Sequence, residues 1–313
     1  MAAADPLLVL GGPTAVGKSR LALRWAERVG AEIIAADSAT VYRGLEIGNA
    51  KPTAADRARV PHHLLDVVGP ADHFTVARFQ ELAQRAVGEI RARGHLVLVV
   101  GGTGLWIRSL TEGFVFPPVR QPGWDAEVAR WQRERGLAAV RRQLRIVDPA
   151  GYEGTAAGDA RRIRRALAAY LGTGRQLARN APTPRPSLKV ALTRSPEHLN
   201  DRIARRAQQQ LADGLQQEVL HWLSRGLSPR AQALQALGYR ETVAWARGLL
   251  PEADLLALIV RHTRQYAKRQ RTWFRHEPGV RWINLDEVDE EGAVAQLVRW
   301  TAEVTGRTPA GRW

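Results

Sequence analysis

Cysteine is absent from the 313 residues, which excludes disulfides and thiolate metal centres and gives no positive sign of an oxidising compartment. No apolar run approaches the length needed to cross a bilayer, and "MAAADP" leads straight into a strand-like segment, so the expectation is a cytoplasmic protein with no membrane partner. The eight histidines form no H-E-x-x-H pattern, and the adjacent pair His62 and His63 in "PHHLLD" has no third histidine at helical spacing. A zinc site is therefore disfavoured, and for that pair, expected on a loop, a structural role or one supporting a ligand from behind is expected. Acidic charge is also scarce, with 31 Asp and Glu against 46 Lys and Arg, a net charge of +15 and a pI near 11.2. Such an excess suits a polyanionic partner, although an Arg-heavy solvated surface would give the same count.

What is present is an alternation of short apolar runs and amphipathic stretches. "LLVL" at 7 to 10, "EIIAA" at 32 to 36, "LVLVV" at 96 to 100, "LKVAL" at 188 to 192 and "VRWINL" at 280 to 285 predict strands with helices between most of them. Thr75 and Gly94 are positioned to cap the two ends of one such helix. The predicted fold class is α/β, a P-loop parallel-sheet core with an inserted helical domain. The insertion is expected at 115–185, between "FPPVRQPG" and "NAPTPRPS"; it carries fourteen Arg, no Lys and six acids, a net charge of +8. The core is then 1–114 followed by a mainly helical 186–305, and 306–313 reads as a loose tail.

The segment "GGPTAVGKS" satisfies G-x-x-x-x-G-K-[ST] between a predicted strand and a predicted helix. In that setting Gly12, Pro13, Thr14, Ala15, Val16, Gly17, Lys18 and Ser19 form a phosphate-binding loop: backbone amides surround phosphate oxygens, Lys18 adds charge, and Ser19 can ligate Mg²⁺. An ordinary NTPase adds a carboxylate at the end of an apolar strand to hold its metal. "LVLVV" ends instead in "GGTG". The available carboxylate is Asp37, followed by Ser38, at the end of "EIIAA", where open α/β sheets place ligands. On position alone Asp37 reads equally well as a solvated strand-end residue.

Taken in order, "GPTAVGKS", "DSATVYRGLEIGNAKP", "PHHLLDV", "VGGTGLW", "QALGYRE" and "KRQRTWFR" resemble the tRNA dimethylallyltransferases, also called tRNA isopentenyltransferases, from residue 8 to about 275. Asn49, Ala39, Thr40 and Trp106 depart from the family's usual residues, but no charged or phosphate-binding group is lost. The resemblance implies transfer of the dimethylallyl group from dimethylallyl diphosphate to the exocyclic amine of the adenosine 3′ of the tRNA anticodon. It implies that Lys18 and Arg206 act on the diphosphate and Asp37 is the base, with Mg²⁺ at Ser19. It also implies tRNA contacts from Asp37, Ser38, Ala39, Thr40 and Thr103, from Arg161, Arg162, Ile163, Arg164 and Arg165, and from Gln235, Ala236, Leu237, Gly238, Tyr239 and Arg240. The expected partners are the anticodon stem-loop of tRNA and dimethylallyl diphosphate, and the expected state is a monomer.

Two helical stretches are read from spacing. Arg202 lies four residues before Arg206 and shares its face. Arg261, Arg264, Lys268, Arg271 and Arg275 line one face of "RHTRQYAKRQRTWFR", with Tyr266 and Trp273 expected to pack inward. Two other activities fit the phosphate loop and the charge, a P-loop kinase of a small metabolite and a non-enzymatic RNA-binding protein.

Overall fold

The structure is a computed structural model, and it describes residues 5–114, 116, 122–174 and 184–307. The chain divides into two compact units, one made of 1–112 with 184–313 and the other of Gly113–Thr183.

The larger unit is built on six parallel strands in the order β3-β2-β4-β1-β5-β6. These are β1 (Leu7–Gly11), β2 (Ala31–Ala35), β3 (His62–His63), β4 (Leu96–Val100), β5 (Ser187–Thr193) and β6 (Val280–Asn284). The central strands read as continuous apolar runs because both faces are covered. Leu7 and Val9 of β1 enter one core with Val97 and Val99 of β4, whereas Leu8 and Leu10 enter the opposite core with Leu96 and Leu98. One core is closed by α1 (Lys18–Val29) and, at the end of the chain, α12 (Glu290–Thr305), where the indole of Trp25 donates to Thr301 at 3.0 Å. The other contains α3 (Val76–Ala92), capped as expected by Thr75, whose side chain accepts from Arg78 N, and α4 (Gly104–Thr111). Trp106 of α4 is spent in this core, stacked on Phe79 at 4.5 Å. Also in the larger unit are the short α2 (Ala54–Arg59), with α8 (Pro196–Ala212), α9 (Leu215–Ser224), α10 (Tyr239–Ala246) and α11 (Glu252–His276).

The second unit contains α5 (Pro122–Val147), α6 (Pro149–Glu153) and α7 (Ala160–Thr173). Gly136, at φ 77° and ψ 163°, interrupts α5, so the helix expected over "WDAEVARWQRERG" ends there and a second segment follows. Val128, Val140, Leu144, Ile163 and Leu167 form its core, and Asp148 and Asp159 cap α6 and α7.

One expectation needs correction. His62 and His63 occupy a two-residue edge strand instead of a loop, a length too short for any periodicity to reveal. His63 Nε2 and His95 Nδ1 each lie 2.6 Å from Glu32, whose carboxylate also takes both Arg93 N–H groups at 2.9 and 2.7 Å. The Arg93 guanidinium, helped by the two histidines, holds the Glu32 carboxyl down at about 2. The tail is tied at its start, since Arg307 donates to Gly94 O and pairs with Asp5; residues 308–313 lie outside the described ones.

Candidate functional site

The parallel register brings three loops to one edge of the sheet. Leu10 of β1 and Ala35 of β2 both stand level with Val100 of β4, so the loops after β1, β2 and β4 leave the sheet side by side. β1 and β2 are two strand spacings apart, about 10 Å, which is the width of the site.

The loop after β1 is shaped by its glycines. Gly12 adopts φ 135°, and a Cβ there would meet the Leu192 carbonyl at 2.8 Å. Gly17, the N-cap of α1, has no side chain to satisfy the first amides of the helix, which leaves that end open to an anion. Lys18 folds back over the loop and donates to Gly12 O at 3.0 Å and Pro13 O at 2.7 Å. Burial lowers its ammonium to about 8; Asp37 opposes that shift and Arg206 adds to it. Two further arginines hold the loop from behind: Arg202 Nε donates to Ala15 O at 2.7 Å, and Arg194 Nε to Val16 O at 3.2 Å. Pro13 has no N–H, and Val16, whose side chain is fully buried, turns its N–H toward Pro13 O at 3.4 Å.

Asp37 follows β2. Its Oδ1 accepts from Ala39 N at 2.9 Å, and Asn49 Nδ2 donates to both Ala39 O (2.9 Å) and Leu45 O (3.0 Å), fixing the turn that presents the carboxylate. Asn49, a departure noted in the sequence, thus makes two bonds where a hydroxyl has one proton to give. Ser38 N reaches Thr103 Oγ1 at 3.4 Å, joining this turn to the "GGTG" loop after β4. Arg206 of α8 is half-buried; desolvation lowers its guanidinium, while Asp37 acts in the opposite direction. Lys18, Arg206 and Asp37 therefore lie within electrostatic reach of one another, around a cavity of about 1210 Å³ that they line together with Thr14, Ser19 and Tyr266.

Sequence reasoning missed two side chains here, both from α11. Gln270 accepts from Thr14 N at 2.8 Å and donates to Gly102 O at 2.9 Å, pinning the phosphate loop to the "GGTG" loop. Tyr266, expected to pack inward, lines the cavity instead. Its phenol bonds with Thr103 and Gln270 and is pushed up to about 12 by burial and by Asp37, so it is a neutral hydroxyl. The available signal was the spacing of four between two polar-ended side chains on a helix read only for its arginines.

The expected tRNA contacts divide by exposure. Arg161, Arg162 and Arg165 are exposed, Arg164 half-buried, and Gln235 and Arg240 exposed. Ile163 and Tyr239 are fully buried and cannot present side chains to RNA. Ile163 points into the α5–α7 core, as the apolar position of an amphipathic helix must. Tyr239 donates to Glu218 at 2.6 Å and accepts from Gly48 N at 3.0 Å, and buried Gly238 gives its N–H to Glu241. Ala39, Ala236 and Leu237 are half-buried and Thr40 is 8 % exposed. On α11, Arg261, Arg264, Lys268 and Arg275 are exposed and Arg271 half-buried. Trp273 corrects the expectation of inward packing, being 38 % exposed. Among the described residues no three His, Cys, Asp or Glu side chains group as a metal site, and no helix is long and apolar enough to cross a membrane.

The IPP transferase family model matches residues 40–277. The chain is 44% identical over 283 residues to the tRNA dimethylallyltransferase of Geobacter metallireducens, covering 88% of this chain and 92% of that protein. It is 37% identical over 302 residues to that of Pelotomaculum thermopropionicum, covering 94% and 95%. The full-length tRNA isopentenylpyrophosphate transferase of Bacillus halodurans superposes with a TM-score of 0.74 at 33% identity, covering 97% of each chain. A eukaryotic dimethylallyltransferase acting on tRNA shares the fold with a TM-score of 0.82 at 23% identity, over 99% of this chain and 82% of that one. Phosphate loop, strand-end carboxylate and matched length agree, and the chain belongs to the IPP transferase family, that of the tRNA dimethylallyltransferases.

Proposed function

We propose that this enzyme transfers the dimethylallyl group from dimethylallyl diphosphate to the N6 amine of the adenosine immediately 3′ of the anticodon of tRNA. The observation that carries the reading is the single cavity shared by a phosphate loop and the Asp37 carboxylate, in which β4 ends in glycines and offers no acid to aim water at a phosphate. The bond broken is carbon to oxygen.

The donor's diphosphate lies on the loop amides at the start of α1, where Lys18 releases Gly12 O and Pro13 O to face it. Lys18 and Arg206 spread the negative charge that grows on diphosphate as it departs. Asp37 accepts the proton from the adenine amine as the new nitrogen–carbon bond forms, a task suited to an ionised carboxylate fixed by the Ala39 turn. Tyr266, protonated and bonded to Thr103, holds the "GGTG" wall of the site in place. The residues present fit Mg²⁺ in the usual manner, with one protein ligand and the rest from phosphate: Ser19, on the first turn of α1, is the residue that would hold it. The ion would supply further charge neutralisation on the diphosphate.

The exposed arginines of the Arg-rich unit and, separately, those of α11 are each read as tRNA contacts, with Gln235 and Arg240 contributing from the α10 end. Drawing a base from a structured loop into a cleft requires such a grip on the backbone. The protein is read as a cytoplasmic monomer. The test is to incubate it with unmodified tRNA, Mg²⁺ and dimethylallyl diphosphate and to weigh the nucleosides. Dimethylallyl-adenosine formed stoichiometrically with diphosphate is expected; ATP turnover with no modified base would overturn the reading.

A further inference from the structure

Tyr266, Gln270 and Trp273 recur along α11 at spacings of four and three, and so share one stripe of the helix. The first two line the reaction cavity. Trp273 is the next step along, and its indole lies flat enough against Gly104 that a Cβ there would fall 2.0 Å from Nε1. Any side chain at 104 would displace the ring. The indole is not spent on the core, because Phe274 beside it, 3 % exposed, does that packing while Trp273 is 38 % exposed.

The exposed part of the indole lines a second cavity of about 430 Å³ with Lys268, Arg269 and Thr272 of α11, and with Glu277 and Arg108, the latter paired with Glu112 at 2.7 Å. An aromatic surface supported from behind by backbone, with the exposed cations Lys268 and Arg269 at its edge, matches the chemistry of an unpaired nucleotide: the base has a π-face and its linkage a negative charge. The rise from Tyr266 to Trp273 is about 10 Å, a separation that neighbouring nucleotides of an extended strand can bridge.

We propose that Trp273 is a stacking platform for an unpaired nucleobase next in the strand to the reacting adenosine, with Lys268 and Arg269 meeting the intervening phosphate. This rests on reading the acceptor as tRNA. The platform tolerates any base, because stacking uses the ring face and not the hydrogen-bonding edge. Its effect is to hold the strand open beside the adenosine that enters the Asp37 cavity.

The probe is an anticodon stem-loop RNA carrying 2-aminopurine at either nucleotide flanking the target adenosine. With the full-length protein, quenching of that fluorophore on binding is expected at one of the two positions. Trp273→Leu should abolish the quenching and weaken RNA affinity about five- to 150-fold, the loss expected for one base–aromatic stack of ~1–3 kcal/mol, and Trp273→Phe should restore part of both. Dimethylallyl diphosphate affinity and melting temperature, measured on the same preparations, should stay near wild type. Quenching unchanged in a folded Trp273→Leu protein overturns the platform while leaving tRNA prenylation standing. Failure of the wild-type protein to bind the stem-loop overturns both readings. A Leu variant that binds RNA normally but loses affinity for dimethylallyl diphosphate would assign Trp273 to the donor side instead.

Discussion

Gln270 makes the sharpest test of how the site is assembled, because its two ends do different jobs. Gln270→Leu removes the acceptor for Thr14 N and the donor for Gly102 O together. The side chain is 6 % exposed, so each abandoned group costs about 1–3 kcal/mol where water cannot replace the bond. Thr14 borders the cavity and water can reach its N–H, which brings the expected loss to about 2–4 kcal/mol in all. At about 2–4 °C per kcal/mol for a unit of this size, the melting temperature falls by about 4–16 °C. Gln270→Glu keeps an oxygen for Thr14 N but sets a charged oxygen against the Gly102 carbonyl in a buried site, so it loses one bond and adds repulsion and the cost of burying a charge. Donor affinity should separate the two variants. The leucine variant loosens the loop, whereas the glutamate adds a negative charge to the cavity wall; at about 10 Å and an effective dielectric near 20 that costs roughly 1–2 kcal/mol per opposing charge. Both variants are expected to be less stable than wild type, and the expected order for dimethylallyl diphosphate affinity is wild type, Leu, Glu. Differential scanning calorimetry and isothermal titration on the three proteins read both. A leucine variant within 1 °C of wild type with unchanged donor affinity would refute the clamp.

Asp37→Asn preserves an Oδ1 acceptor for Ala39 N but cannot take the amine proton, so single-turnover prenylation should drop by ~10²- to 10⁴-fold with tRNA affinity changed by less than about tenfold; a near-normal rate in the folded variant would remove Asp37 as the base. Lys18, lowered by burial to about 8, binds a proton more tightly once diphosphate arrives. Donor affinity should therefore be level below that pH and fall by up to about tenfold per pH unit above it, a bend that Lys18→Met should abolish and whose persistence in that variant would assign it elsewhere. Replacing Arg161, Arg162, Arg164 and Arg165 together by Ala should weaken tRNA binding and flatten its dependence on salt. An unchanged slope would take α7 out of the interface.

Much of this protein was legible in local sequence. The phosphate loop is nine consecutive residues whose conformation is set by glycines at Gly12 and Gly17, and β1, β2, β4 and β5 announce themselves as largely buried apolar runs, so neither needs distant information. The charge of the Arg-rich unit is likewise a property of composition. β3 escaped because two residues carry no period. What the sequence could not decide was which way a side chain faces inside a motif. "ARRIRRAL" and "QALGYRE" each look uniformly functional, yet Ile163 and Tyr239 are fully buried while their arginine neighbours are exposed. That sorting depends on which helix face finds a core. Nor could it foresee that Gln270 would close a hydrogen bond to Thr14 across 256 residues, since such a bond exists only once β1, β4 and α11 have been packed together. The local chain supplied the loop that holds phosphate; the tertiary fold supplied the residues that hold the loop beside Asp37.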